Sequence, residues 1–246
     1  MPSSARYDRL DALRGAAIVW MTAYHFCFDL NYFGWIRQNF YQDPVWTWQR
    51  TAIVSLFLFC AGLSQAVAHA QGQGWPRFWR RWAQIAGCAL LVTLGSWLMF
   101  PRSYIFFGVL HGIAVMLIVL RLTARWGRWL WLAGAVAILM GVLAPLAHTA
   151  WPSLAPLDRA PWHWLGLVGR KPITEDYVPV FPWLGVMWWG MAAGRWLLAR
   201  RPQVLQGRLA PQAGALAWMG RWSLTWYMLH QPILIGLVMG VTALAR

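Results

Sequence analysis

The sequence predicts an all-α fold: a polytopic membrane helix bundle of about seven transmembrane helices in one domain spanning residues 1–246, oriented N-in and C-out. Three observations lead there. The chain is 59% hydrophobic and only 11% charged, far too apolar for an ordinary soluble domain. A window of about 19 residues finds apolar spans along the whole length. The net charge of +14 is gathered in short connections between those spans, as membrane topology requires. Such a cationic surplus would suggest nucleic acid in a soluble protein, but its distribution here excludes that partner and makes the lipid bilayer the expected one.

The first span, residues 10–32, places Asp11, Arg14, His25 and Asp29 in an otherwise apolar stretch. At about 100° per residue, His25 falls roughly 20° from Arg14 and the two carboxylates about 60° from it, so all four share one helix face. Arg14 and His25 lie about 16 Å apart along the axis, half the thickness of a bilayer core. Ionisable groups at such depth are expensive and usually functional. The basic start and apolar centre imitate a signal peptide, yet no small-residue cleavage site follows Phe26, so the segment is expected to remain as a helix.

The following spans are residues 46–68, 82–100, 104–122, 129–148 and 178–198. The last, 213–244, is long enough to tilt or break. Small-residue spacings at Gly108 with Gly112 and Gly190 with Gly194 permit close helix approach. Trp35, Trp46, Trp75, Trp126 and Trp151, at span ends, suit an interfacial belt. A cytoplasmic N-terminus puts Arg6, Arg9, Arg77, Arg80, Arg81, Arg121, Arg125, Arg128, Arg200, Arg201 and Arg208 on one side. Arg37, Arg102, Arg159, Arg170 and Lys171 fall on the other. Lys171 is the sole lysine among 21 basic residues, a bias that favours a GC-rich bacterial source and hence a bacterial inner membrane. The long connection, residues 149–177, is expected outside, with Asp158, Arg159, His163, Glu175 and Asp176 among aromatic residues. Long loops of this kind serve as lids or binding loops.

The chemistry is expected on histidines. His111 lies in one span. On the last span Ser223, Tyr227 and His230 fall within about 60° of one another, followed by Gln231 and by Pro232, whose missing N–H predicts a local opening of the helix. An Asp four residues beyond a buried His can accept the Nδ1 proton and leave Nε2 as a base near neutral pH, so Asp29 is expected to orient His25. That equipment suits deprotonation of a hydroxyl or amine. Cys27, Cys60 and Cys88 have no metal-ligand spacing, and neither a metal nor a permanently bound cofactor is expected. No nucleotide loop, GxSxG elbow or HExxH occurs. A proton-linked transporter or flippase of a lipid or sugar remains open, because charged helix faces also line ion paths.

RLDALRGAAIVWMTAYHF resembles the first helix of the transmembrane acyltransferases, where an Arg and a His with ten residues between them form the recognised motif; Arg14 and His25 fit it. FLFCAGLSQAV, FFGVLHGIAVML, DYVPVFPWLGVMWWGMAAGR and GRWSLTWYMLHQPILIG resemble, in order, segments of bacterial membrane proteins related to heparan-α-glucosaminide N-acetyltransferase. The resemblance spans most of the chain. It implies a cytoplasmic acyl-CoA donor such as acetyl-CoA, an extracytoplasmic amino-sugar or glycan-hydroxyl acceptor, and His25 as catalytic base. With that donor, Arg14 beside Asp11, aided by Arg80, Arg81 and Arg125, is expected to hold CoA phosphates. His111, Tyr227, His230 and Gln231 are expected to line the substrate cavity, and Asp176 to close its acceptor side. A homodimer is admitted.

Overall fold

The computed structural model describes residues 7–207 and 209–245. Arg6 and Arg208, two of the arginines assigned to the cytoplasmic side, lie outside the described residues. The helices are α1 (Asp8–Tyr32), α2 (Pro44–Ala70), α3 (Trp75–Met99), α4 (Val109–Leu122), α5 (Trp129–Ala150), α6 (Val180–Arg200), α7 (Pro202–Gln206), α8 (Gly214–Arg221) and α9 (Ser223–Leu244). Among the described residues there is no strand, only an isolated bridge between Phe107 and Tyr177. The chain divides into two compact units, Met1–Phe57 with Pro202–Arg246, and Leu58–Arg201.

In the first unit α1 buries Leu10, Ala17, Ile18, Met21 and Tyr24, positions adjacent or three, four or seven apart and therefore on one stripe. Ile18, Met21 and Tyr24 join Phe40 and Ile53 in a core where Phe40 stacks on Trp46 at 4.1 Å. Glycine lets α1 and α8 meet backbone to backbone. A Cβ on Gly15 would lie 1.9 Å from the Leu216 carbonyl oxygen, and one on Gly220 would lie 1.8 Å from that of Asp11. The chain then bends at Trp222, which leaves helical geometry (φ −100°, ψ 20°) and separates α8 from α9. The expected opening at Pro232 is not where the break falls, for α9 runs on through it. The proline costs one hydrogen bond, and the turns on either side hold the helix.

α1 and α9 run parallel, as the order of their links shows. Thr22 pairs with Trp226 at 2.9 Å, His25 with His230 at 2.9 Å, Asp29 with Gln231 at 3.3 Å, and Trp35, just past α1, with Thr242 at 2.8 Å. At the other end of the pair Arg221 meets Asp8 at 3.0 Å.

In the second unit the Gly190 and Gly194 spacing does seat a helix. A Cβ on Gly190 would be 2.2 Å from the Phe59 carbonyl of α2, and reciprocally one on Gly62 would be 2.1 Å from that of Met187 in α6. The Gly108 and Gly112 pair serves another purpose. It makes room for the segment before α6, with the Asp176 carboxylate beside Gly108 and the Val178 carbonyl beside Gly112. Asp176 Oδ2 accepts the Val109 N–H at 2.8 Å and His111 Nδ1 accepts that of Gly108 at 3.2 Å, so α4 starts at Val109 rather than Tyr104. The connection 149–177 is folded, not slack, with 3-10 turns at Pro152–Asp158 and Ala160–Leu165. His148 Nδ1 lies 3.1 Å from Asp158 Oδ2, and Tyr177 donates to the His163 carbonyl at 2.6 Å. Burial, with Asp158 adding to it, pushes the Tyr177 phenol above its ordinary value.

By length and composition α2, α3, α5 and α9 can each cross a membrane. The expectation of about seven spans goes further than these four. α4 has 14 residues, about 21 Å at 1.5 Å per residue against a hydrocarbon core of about 30 Å. α1 carries Asp8, Arg9, Asp11, Arg14 and Asp29, and α6 is diluted by Trp, Gly and Arg195.

Candidate active site

The densest polar cluster in the first unit lies where α1 passes α9. His230, only 6% exposed, has its Nδ1 2.7 Å from the carbonyl oxygen of Tyr227 on its own helix. A carbonyl can only accept, so His230 Nδ1 carries the proton. Its Nε2, unprotonated in the neutral ring, lies 2.9 Å from His25 Nδ1 and must accept from it. His25 is thereby fixed as the Nδ1–H tautomer, with the lone pair on Nε2. The two rings are tilted 38° with centroids 4.9 Å apart, and Tyr24 packs edge-on to His25 at 5.7 Å. His25 itself is only partly buried.

The geometry corrects one expectation. Asp29 does not orient His25. Its Oδ1 instead accepts from Gln231 Nε2 at 3.3 Å, while His230 takes the Nδ1 proton of His25. The i+4 spacing does put Asp29 next to His25 on the face turned to α9, but a ring held on α9 reaches the nitrogen first. Asp29 is 3% exposed, and its Oδ2 and the Gln231 Oε1 are buried without a hydrogen-bond partner. Beside His230 opens a cavity of about 360 Å³ lined chiefly by Trp218, Trp222, Trp226, Leu229 and Ile233. It is almost wholly apolar, since the Thr22 hydroxyl on its wall donates to the Ile18 carbonyl and accepts from Trp226.

A family model described as "Heparan-alpha-glucosaminide N-acetyltransferase, catalytic" matches residues 6–232. The chain belongs to that family. No curated protein and no solved structure matches it. The matched range begins just before α1 and ends just after Gln231, so α1 and the first ten residues of α9, which carry the histidine pair, fall within it. Family membership and the apolar helices together make this an integral membrane protein of a transmembrane acetyltransferase family.

The remaining expected residues divide between the units. Asp11 and Arg14 pair with each other at 2.7 Å on α1, about three helical turns before His25. Arg14 keeps part of its side chain exposed. His111 and Asp176 belong to the second unit, where both hold the start of α4. His111 Nε2 donates to Thr93 Oγ1 at 3.0 Å, Thr93 in turn donating to the Ile105 carbonyl, so both ring nitrogens are used structurally. Among the described residues no group of three or more His, Cys, Asp or Glu is placed to hold a metal.

Proposed function

We propose that this chain moves an acetyl, or another acyl, group from a cytoplasmic acyl-CoA to an extracytoplasmic amino sugar or glycan hydroxyl, with His25 as general base. The observation that carries the reading is the ordered chain from the Tyr227 carbonyl through His230 to His25, which leaves one basic nitrogen, His25 Nε2, unoccupied. As the acceptor attacks the thioester carbonyl carbon, Nε2 takes its proton. The imidazolium so formed keeps its Nδ1–H on the neutral His230 Nε2, which stabilises the charge. The C–S bond then breaks and the thiolate receives the proton back from His25. Arg14, paired with Asp11 yet part exposed, is assigned the donor's phosphates at the cytoplasmic end.

The orientation in this reading is N-in and C-out, in a bacterial inner membrane. The parallel course of α1 and α9 is in keeping with termini on opposite sides, since two parallel crossings place the start of α1 and the end of α9 on opposite faces; the choice of N-in rests on the arginine distribution. Purified protein in detergent, given acetyl-CoA and glucosamine, should release free thiol. His25→Ala should lower that release by about 10² to 10⁴ with the thermal unfolding curve unchanged. A histidine pair is also suited to carrying protons. Uptake of sugar into proteoliposomes with no consumption of CoA would replace the acyltransferase by the transporter.

A further inference from the structure

Three helices of the second unit bring cations to one place. α6 seats on α2 so closely that a Cβ on Gly194 would lie 2.7 Å from that of Ala66, and Arg195 and His69 follow those two residues within a turn. The end of α4 joins them, because Trp188 donates to Thr123 Oγ1 at 2.9 Å and Arg195 to the Ala124 carbonyl at 2.6 Å. Arg121, in the last turn of α4, donates to the Gln73 carbonyl just past α2 and lies over the rings of Trp75 and Phe78, 5.0 and 5.7 Å from their centroids. Arg195, Arg121 and Arg125 all act electrostatically on His69. Three guanidiniums are thus gathered around the end of α2.

Nothing in this unit answers that charge. Its acidic residues are Asp158, Glu175 and Asp176, all on the connection 149–177, and Asp176 meets α4 at the opposite end of the helix from Arg121. Among the described residues Arg121, Arg125 and Arg195 have no ion pair. Membrane topology asks only for basic residues in the connecting loops. Arg121 and Arg195 are instead half-buried, and the backbone carbonyls and aromatic faces that hold them are neutral. A cation withdrawn from water without a counter-charge is costly, and each guanidinium keeps N–H groups to spare. Trp75, Trp79 and Trp126, all exposed beside the cluster, are the residues that settle at headgroup depth.

We propose that this cluster binds the headgroup of an anionic phospholipid, with the phosphodiester oxygens held among Arg121, Arg125 and Arg195. The proposal does not depend on the acyltransferase reading. A phosphodiester supplies the missing negative charge and offers its oxygens to the guanidinium forks. Basic pockets between membrane helices hold such headgroups. Leu122 and Trp196, the chain neighbours of Arg121 and Arg195, are 67% and 54% exposed and offer apolar surface to the lipid's tails, which a soluble phosphate would leave unused. In the N-in orientation the site faces the cytoplasmic leaflet, where anionic lipids are found.

The test titrates the full chain in detergent with phosphatidylglycerol and phosphatidylcholine carrying the same fluorescent acyl chain, and reads anisotropy. Wild type should bind phosphatidylglycerol more tightly by about tenfold or more. Arg125→Gln removes an exposed side chain and should cut that preference about fivefold with the thermal unfolding curve unchanged. Arg195→Gln should cut it at least as far, and Arg121→Lys, which keeps the charge and loses the fork, should cut it less than Arg121→Gln. Arg77→Gln, an exposed arginine near the start of α3, should leave it alone. Equal affinity of wild type for the two lipids overturns the proposal. So does an Arg77→Gln loss as large as that of Arg125→Gln, which would reduce the site to diffuse charge. Displacement of the labelled lipid by millimolar CoA or inorganic phosphate would make the ligand a soluble anion and overturn the lipid assignment.

Discussion

The Tyr227 carbonyl sets the protonation pattern of everything downstream of it, because an oxygen that can only accept forces His230, and through it His25, into one tautomer. With His25 as the proposed base, His230 acts as a positioning residue, and replacing it should act through orientation. His230→Phe, which cannot accept, should lower kcat about 10- to 100-fold, as loss of an outer partner of a working histidine typically does. His230→Gln, whose Oε1 can accept, should recover part of the loss, and the pH profile of kcat should shift between the two variants. A purely structural role would instead lower both in step with thermal stability. The local half of this arrangement was legible in the sequence: the spacing of Arg14, His25 and Asp29 on one face is a property of any helix. The partner was not. Choosing between Asp29 and His230 for the His25 Nδ1 proton depends on the register of α1 against a segment 205 residues away, and no local period encodes that register.

At the scale of elements, the helices themselves were readable because their apolar runs are long, while their ends and contacts were decided by single side chains. α4 begins five residues inside its apolar window because Asp176 and His111 receive the N–H groups of Val109 and Gly108 at its start. Gly108 reads as a helix-packing residue and proves to be room for a carboxylate. The sharper dependence lies at the α1 and α8 contact, where Gly15→Ala sets a methyl 1.9 Å from the Leu216 carbonyl oxygen. Neither backbone can yield cheaply, so the substitution should destabilise by about 3 kcal/mol or more. Gly236→Ala on α9, with nothing within 4 Å of its new methyl, should instead be neutral or stabilise by up to about 1 kcal/mol through helix propensity. Thermal unfolding of the two proteins in the same detergent separates a glycine required by close approach from one that is not.

Over the whole molecule, the parallel pairing of α1 and α9 makes a prediction about sidedness. In a background without native cysteines, Asp8→Cys and Ala245→Cys should react with a membrane-impermeant thiol reagent from opposite faces of sealed vesicles, and labelling from the same face would contradict a parallel crossing. The sequence conveyed that these two segments were apolar and carried histidines, but not that they were neighbours, since everything between them separates them along the chain. The same pairing has a meaning in time. His25 leaves the ribosome 205 residues before His230. Through nearly all of synthesis Asp29 has no Gln231 to meet it and His25 has no fixed tautomer, and the buried carboxylate of the finished protein is a liability exposed to lipid or solvent. A nascent chain that has not yet reached α9 therefore carries a polar face with nothing to answer it, and the His25 tautomer is fixed only when α9 arrives.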